Sequence, residues 1–321
     1  MNGMLKWKKL GQIFNPCASQ PRPWMQEYAQ CPTAFILNES TVRIFIASRP
    51  RPDSDLKYVS YPGYVDLDRR DLSKVVAIAE SPLLALGGSG AFDEFGIMPS
   101  SFIKTGDSIH AYYTGWTRMS SVPYTLAIGL ATSKDGGTSF GKLGQGPVLG
   151  LSLKEAYFVT GPSVLKVGDE WYMWYLSGKK WLFTEEKHEP VYQVALATSS
   201  DGINWQHDGQ PVVPRLSENE CQDVFSPFFL NGKWHAVFAW RHPSTSGGAY
   251  RMGYASSPDL KTWIRDDAQA GISTSDNGWD AQMICYPNIK EIDGRIFMFY
   301  CGNSFGKEGF GVAELISGDE P

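Results

Sequence analysis

Apolar and polar side chains alternate in three stretches of the chain, and each stretch runs into a short turn. The stretches read "YTLAIGLATS", "YQVALATSS" and "YRMGYASS". Turn-forming residues follow in each copy, as in "SSDGIN", and an aromatic residue then opens the next segment. A period of two residues predicts β-strands, and the turn residues predict hairpins. The three copies indicate a repeated unit built from strands.

A proline marks a second repeat, upstream of each hairpin. It opens an apolar strand, which a short turn joins to an aromatic-rich strand such as "EWYMWYLSG" or "KWHAVFAW". The unit recurs at intervals of 60 to 67 residues, with its prolines at Pro32, Pro99, Pro162, Pro227 and Pro287. Four strands in each unit, used five times at a nearly constant period, predict the blades of a β-propeller.

The N-terminal segment supplies a strand that the last unit lacks. That unit ends soon after its third strand, "GFGVAEL", whereas "WKKLGQIFNP" near the N-terminus resembles the fourth strands "FGKLGQGPVL" and "WQHDGQPVVP". Closing the ring in this way removes an open sheet edge. We therefore predict an all-β fold, a five-bladed β-propeller of four-stranded antiparallel blades. Residues 1–321 would form a single domain, and the N-terminal strand would close the last blade. A pair of β-sandwiches is the alternative.

Composition agrees with this fold and narrows the classes of partner. Aromatic residues make up 13% of the 321 residues, alongside 33 glycines and 20 prolines, which is typical of short strands joined by tight turns. A net charge of −5 argues against a nucleic-acid partner. No apolar run approaches the ~20 residues that cross a bilayer, so we expect no membrane partner.

The N-terminus and the cysteines bear on location and cofactors. The opening "MNGMLKWKKLGQIF" lacks the apolar segment of a signal peptide. The five cysteines are an odd number, and they show no metal-ligand spacing. We therefore expect reduced thiols, no metal, no cofactor and a cytoplasmic location.

Acidic residues precede the proline of every unit. In a propeller the innermost strand of each blade lines a central channel, so side chains at these positions can converge on one mouth. Two carboxyl groups, one protonated and one ionised, are what glycoside cleavage needs. We predict Glu94 or Asp223 as general acid, Glu155 or Asp280 as base or nucleophile, and Glu27 as a substrate-binding residue. Solvated loop acids or caps are the alternative.

Cations and aromatic residues cluster where the second strand of each unit ends. Arginine offers a planar fork for carboxylate or phosphate, and tryptophan offers a platform for sugar rings. We therefore predict a small-molecule saccharide substrate of anionic character. The predicted substrate-binding residues here are Arg49, Arg51, Trp116, Arg118, Trp240, Arg241, His242 and Asn303. The alternative is that each arginine pairs with a neighbouring carboxylate. Tyr58 is expected to pack within its blade.

The strand openings "GPSV" and "SPFF", the hairpin "GDEWYMWY" and the turn "ATSSDGINW" resemble the five-bladed glycosidase superfamily. It includes arabinanases and xylosidases, invertases and levansucrases, and mannoside phosphorylases. The resemblance covers essentially the whole chain and implies a carbohydrate-active site at the channel mouth. The three acids of the arabinanase-like pattern correspond to Cys31, Ser100 and Thr160. The acid that mannoside phosphorylases carry before Pro-Arg is also missing, so acids slightly upstream would have to replace these groups.

The sequence thus favours an enzyme that hydrolyses a glycosidic bond of a modified or anionic saccharide, with carboxylates at the channel mouth. Two alternatives remain open. One is a glycoside phosphorylase or glycosyltransferase, because a basic mouth suits phosphate or a nucleotide sugar. The other is a propeller that binds a saccharide or a protein partner without catalysis, because one fold supports many functions.

Overall fold

Each proline-marked segment forms the innermost strand of one blade. The computed structural model describes residues 4–52, 57–184, 187–243 and 248–316. Within them, twenty strands form five four-stranded sheets. In chain order the strands are β1 (Trp7–Phe14), β2 (Glu27–Ile36), β3 (Thr41–Arg49), β4 (Tyr61–Asp68), β5 (Val75–Ile78), β6 (Gly96–Thr105), β7 (Ser108–Arg118), β8 (Tyr124–Ser133), β9 (Gly141–Lys142), β10 (Val159–Val167), β11 (Glu170–Thr184), β12 (Lys187–Ser199), β13 (Gln206–Pro211), β14 (Cys221–Leu230), β15 (Lys233–Arg241), β16 (Arg251–Ser257), β17 (Ile264–Arg265), β18 (Cys285–Ile292), β19 (Arg295–Cys301) and β20 (Phe310–Leu315).

Strand order confirms the propeller and its closure. Blades 1 to 4 are the antiparallel sheets β2–β5, β6–β9, β10–β13 and β14–β17, each in chain order from the centre outwards. Blade 5 has the order β18-β19-β20-β1, and Trp7 pairs with Leu315 and Phe14 with Phe310. The N-terminal strand therefore completes the last blade, as predicted. That residues 1–321 form a single domain stays a prediction.

Helix is sparse in the described part of the chain. Short turns occur at α1 (Pro16–Ser19) and α2 (Asn303–Gly306), and a 3-10 turn occurs at Asp267–Gln269. None of the helices found there is long and apolar enough to cross a membrane.

The repeated turn motif is a set of side-chain to backbone hydrogen bonds. Asp201 accepts hydrogen bonds from the backbone N–H groups of Ile203 and Asn204, each at 2.8 Å. Asp259 does the same for Lys261 and Thr262, at 2.9 and 2.7 Å. Such aspartates stabilise the turn in place of a backbone ladder. The bonds lower the pKa of Asp201 and Asp259, so both carboxylates serve the fold.

Every innermost strand has a β-bulge near its proline. The register of pairing shifts between Gln30 and Thr33, Pro99 and Ser101, Thr160 and Ser163, Asp223 and Phe225, and Cys285 and Asn288. Proline cannot donate a ladder hydrogen bond, and a bulge re-aims the neighbouring side chains. The bulges thus explain why side chains near the start of each inner strand point into the centre of the ring.

Aromatic packing between neighbouring blades holds the ring together. Phe45 of blade 1 stacks on Phe102 of blade 2, with ring centroids 3.6 Å apart. Trp174 of blade 3 contacts Phe225 and Trp263 of blade 4, at 5.7 and 6.0 Å. All five rings belong to hydrophobic clusters that bury apolar area between sheets, which is the main favourable term in folding.

Candidate functional site

A cavity of about 600 Å³ lies at the centre of the ring. It is bounded by the first residues of the inner strands, the ends of the second strands and the starts of the third strands. All five blades contribute to it. Its polar and charged lining residues are Gln30, Cys31, Arg49, Lys57, Tyr58, Ser100, Thr114, Arg118, Thr160, Tyr192, Asp223 and Tyr286. This volume is typical of a small-molecule site.

The bulges bring the three positions of the arabinanase-like acids into this cavity. The residues at these three positions are Cys31, Ser100 and Thr160, and their side chains are neutral. Burial raises the pKa of Cys31, so its thiol stays protonated. The Thr160 hydroxyl shares a hydrogen bond of 3.0 Å with Thr114. The fold therefore keeps the place of the site, while the three acids are absent from it.

Asp223 is the one carboxylate that the described residues contribute to the cavity wall. It lies on β14 just before the bulge, and it is 6% exposed. The Tyr192 hydroxyl donates to it at 3.2 Å, and the Val224 N–H donates at 2.7 Å. Burial raises its pKa to about 6 and outweighs these hydrogen bonds and the charge of Arg241. Near neutral pH this carboxyl group can therefore both hold and release a proton.

Asp223 rests on a buried layer of aromatic and charged side chains. The hydroxyls of Tyr192 and Tyr250 are hydrogen-bonded to each other. Arg241 lies over the Tyr250 ring at 5.4 Å and forms a 2.7 Å ion pair with Glu189. Arg241 is therefore a support beneath the cavity wall rather than a residue of the lining.

Arg49 is positioned by neutral partners on the blade 1 side of the cavity. Its guanidinium donates to Ser60 Oγ at 3.0 Å and to Gln30 Oε1 at 2.9 Å. It also lies over the rings of Tyr28 and Tyr58, at 4.4 and 5.1 Å. Within the described ranges no carboxylate comes within ion-pair distance of it. Burial lowers its pKa, but an arginine so far above neutrality stays charged.

Arg118 and Trp116 come from the end of β7. Arg118 donates to the backbone carbonyl of Tyr58 at 2.8 Å and lies 4.0 Å from the Phe95 ring centroid. Like Arg49, it has no carboxylate ion-pair partner in the part of the chain that the structure describes. Trp116 also lines the cavity, and its buried Nε1 finds no hydrogen-bond acceptor among those residues. Two cations without carboxylate partners among the described residues are thus placed to meet an anionic ligand.

The other three acids predicted to be catalytic lie outside the cavity lining. Glu94 accepts a hydrogen bond of 2.9 Å from the Gly90 N–H, within the loop before β6. Glu155 is hydrogen-bonded to His207 and, at 3.0 Å, to the Tyr175 hydroxyl. Burial opposes its ionisation, but hydrogen bonds from His207, Ser177 and Tyr175 outweigh this and lower its pKa.

Asp280 forms the same kind of contact in blade 5. It accepts from Lys9 Nζ at 2.7 Å and from the Tyr300 hydroxyl at 3.0 Å. Lys9 belongs to β1, so this ion pair ties the closing strand to the chain segment before β18. Asp280 is only 2% exposed, and its partners satisfy it without any ligand.

These contacts follow one rule in blades 2, 3 and 5. An acid lies in the loop before the inner strand, a tyrosine lies twenty residues later on the second strand, and a base lies on the outermost strand. The triads are Asp93–Tyr113–Lys142, Glu155–Tyr175–His207 and Asp280–Tyr300–Lys9. In these three blades an acid before the proline thus links the loop to the outermost strand of its blade.

The remaining predicted substrate-binding residues lie beside or beyond the lining. Glu27 accepts from the cavity residue Tyr58 at 2.7 Å and lies 3.5 Å from Lys307. The Asn303 side-chain amide bonds to the loop before β18. Its oxygen accepts from the Gln282 N–H at 2.7 Å, and its nitrogen donates to the Gly278 carbonyl at 2.9 Å. The remaining three are Arg51, which is exposed, Trp240, which packs against Arg265, and His242, which is partly buried after β15.

The sequence analysis missed several lining residues. Tyr58 was expected to pack within its blade, yet it faces the cavity and contacts both Glu27 and Arg49. Lys57, beside it, also lines the cavity. Both residues follow Arg49 closely in the connection between β3 and β4. The pattern of strands does not show which side chains of such a connection turn towards the cavity. Gln30 was also missed, although it directly precedes Cys31.

The described residues were also searched for groups of side chains that could hold a metal ion. No group of three or more His, Cys, Asp or Glu side chains there is arranged to hold a metal ion.

Comparison with known proteins shows which sequences this chain resembles. No protein-family model matches the chain. A Mycobacterium tuberculosis (strain H37Rv) protein described as uncharacterized protein Rv1502 is 30% identical over 313 residues, covering 97% of this chain and 99% of that protein. Uncharacterized protein MT1551 of M. tuberculosis strain CDC 1551 matches with the same identity and coverage.

Solved structures with the same fold are carbohydrate enzymes by name. A glycoside hydrolase superposes with a TM-score of 0.75 at 17% identity, covering 98% of this chain and 93% of that one. The β-1,2-mannobiose phosphorylase of Listeria innocua gives 0.68 at 14%, covering 98% and 97%. A mutant of the Bombyx mori β-fructofuranosidase BmSUC1 in complex with sucrose gives 0.62 at 17%, covering 95% and 61%. The chain therefore belongs to one family with Rv1502, and it shares the five-bladed propeller fold of these solved structures.

Proposed function

We propose that the chain is a carbohydrate-active enzyme that cleaves a glycosidic bond of an anionic saccharide in the central cavity, with Asp223 as proton donor. One observation carries this proposal. Asp223, whose pKa burial raises to about 6, shares the cavity with Arg49 and Arg118, which lack carboxylate partners in the described chain. The named activities of the structural neighbours support the substrate class.

A single carboxyl group favours phosphorolysis over hydrolysis. Hydrolysis uses a second carboxylate, either to activate water or to form a covalent intermediate. Another acid, Glu27, accepts a hydrogen bond from the lining residue Tyr58 and lies 3.5 Å from Lys307, outside the lining. In phosphorolysis a phosphate oxygen bonds to the anomeric carbon, the glycosidic C–O bond breaks, and Asp223 gives its proton to the leaving oxygen. Phosphate needs a cation rather than a second acid, and Arg49 would supply it.

The second candidate is saccharide binding without catalysis. It is favoured by the neutral side chains of Cys31, Ser100 and Thr160 at the three positions where the arabinanase-like pattern has acids. A cytoplasmic location is also part of our proposal. The five cysteines found in the described residues are all free thiols, which suits a reducing compartment.

The test is a screen of the purified protein against aryl glycosides and sugar phosphates, with and without inorganic phosphate. Phosphate-dependent turnover, lost by about a hundredfold or more in Asp223→Asn, is the expected result. Arg49→Gln should raise the KM for phosphate, while Arg70→Gln, an exposed residue far from the cavity lining, serves as the matched control. Turnover in phosphate-free buffer would assign hydrolysis instead. Saccharide binding with no turnover under any condition would assign the second candidate.

A further inference from the structure

The cavity has two chemically different sides. Blade 1 contributes the polar side, with Gln30, Arg49, Lys57 and Tyr58. Blades 2 and 3 contribute an apolar side, which we call the apolar wall. The apolar wall consists of Met98, Met119, Pro123, Leu126, Phe158 and Leu176.

The apolar wall is packed into the protein core. Phe158 is buried against Trp181 and Tyr192, with ring centroids 5.7 and 6.0 Å apart. Tyr124 contacts Trp181 from blade 2 at 5.1 Å. A saccharide hydroxyl facing this wall would lose hydrogen bonds to water without replacement, which is unfavourable. An apolar group would gain from the same contact.

Exposed apolar side chains also occur on the face of the ring where the cavity opens. Connections into the inner strands, and hairpins after the second strands, all lie on the face where the cavity is found. On that face blades 2 to 4 expose a set that we call the apolar rim. The apolar rim consists of Met119, Leu151, Leu153, Tyr157, Phe183 and Leu216. Leu153 is 107% exposed and Phe183 is 69% exposed, which solvent-facing residues of a plain saccharide enzyme do not require.

The second and third strands of blade 3 are longer than the corresponding strands described in the other blades, and Phe183 lies near the end of the second one. Strand β11 has 15 residues and β12 has 13, and Phe183 pairs with His188 near the hairpin tip. Tyr157 is tied to the same region, because its carbonyl accepts a hydrogen bond of 3.5 Å from Thr125 at the start of β8.

The anion site and the apolar wall meet at the end of β7. Arg118 and Met119 are consecutive, both line the cavity, and Met119 also belongs to the apolar rim. We propose that the substrate is amphiphilic: Arg118 binds its anionic group, and its apolar chain lies along the apolar wall and leaves the cavity across the apolar rim. This inference rests on the proposed function, since it names the substrate class of the same site.

A series of alkyl phosphates tests the inference without requiring turnover. Methyl, butyl and octyl phosphate share the anionic group and differ only in the chain, and their binding can be measured by calorimetry below the micelle-forming concentration. Each buried methylene should tighten binding about fourfold. We expect octyl phosphate to bind at least about tenfold more tightly than methyl phosphate. Equal affinity across the series would overturn the inference.

Two variants test whether the alkyl chain of the ligand lies along the apolar wall. Met119→Gln should weaken octyl phosphate about fivefold and lose more affinity for octyl than for methyl phosphate. Leu143→Gln is the matched control, because Leu143 and Met119 are both 48% exposed and Leu143 lies outside the cavity lining. Equal losses in the two variants would contradict the placement along the apolar wall. Arg118→Gln should weaken both phosphates by a similar factor.

Two further measurements distinguish a bilayer lipid from a free amphiphile, and the binding of an amphiphile from the proposed activity. Phosphatidylcholine vesicles with and without phosphatidic acid distinguish a bilayer lipid from a free amphiphile. Phosphatidic-acid binding that Met119→Gln weakens supports the inference, with a lipid as the source. Vesicle binding that depends only on Leu153 and Phe183, with no effect of alkyl chain length, overturns it in favour of a membrane-docking rim. Chain-length dependence without saccharide turnover would refute the proposed function and leave the amphiphile site standing.

Discussion

Replacing Asp280 by asparagine tests whether an acid predicted to be catalytic serves the fold instead. The substitution removes the charge that neutralises Lys9, 2.7 Å away, and keeps an oxygen that can accept from Tyr300. It leaves a cation at the seam between β1 and the segment before β18. The change is therefore confined to the ion pair that holds the closing strand.

The expected loss follows from the burial of the two partners. Removing one member of a buried ion pair destabilises a protein by about 3–5 kcal/mol, because an uncompensated charge remains. The Asp280 side chain is 3% exposed, but that of Lys9 is 25% exposed, so the lysine can still reach water. We therefore expect a decrease of about 2–3 kcal/mol in the free energy of unfolding, which is smaller than for a fully buried pair.

Urea unfolding followed by tryptophan fluorescence measures this loss. Glu80→Gln is the matched control, since its ion pair with Arg22 is similar in type but the Glu80 side chain is 83% exposed. Exposed pairs contribute about 1 kcal/mol or less. At a temperature where both variants are folded, alkyl phosphate binding and turnover should match those of the unaltered protein.

One outcome would refute the reasoning. If Asp280→Asn unfolds like the unaltered protein but loses turnover, Asp280 acts on the substrate, as the sequence analysis predicted, and the ion pair with Lys9 is incidental. A loss of stability alone would assign Asp280 to blade closure.

Further predictions concern the cavity itself. Burial raises the pKa of Asp223 to about 6, so its proton is present below that pH and lost above it. If Asp223 is the acid, kcat/KM should fall about tenfold per pH unit above roughly 6, as a pH–rate profile would show. Gly161→Ala should destabilise by about 1–2 kcal/mol, measured by urea unfolding, because φ is +59° and the added Cβ would lie 2.9 Å from Leu176. Gly141→Ala, with open space around its Cβ and no positive φ, is the control and should change stability little.

The sequence by itself determined the blades and their closure. Alternating side chains specify strands because successive side chains point to opposite faces of a sheet. The repeated proline marked each inner strand but did not specify its bulge, because in blade 4 Pro227 pairs with Ala236 and the register shifts between Asp223 and Phe225. The resemblance of residues 7–16 to other fourth strands predicted the pairing of β1 with β20. These features depend on local spacing, which a sequence displays directly.

Only the tertiary structure decided which acids reach the cavity. Asp223 lies inside the inner strand β14, next to its bulge, and points to the centre. Glu155 and Asp280 precede β10 and β18, and they turn towards bases on outer strands that are distant in sequence or belong to the other end of the chain. A buried carboxylate needs a partner that compensates its charge. Because folding brings that partner close, the sequence alone does not show whether a carboxylate before a proline faces a ligand or a lysine.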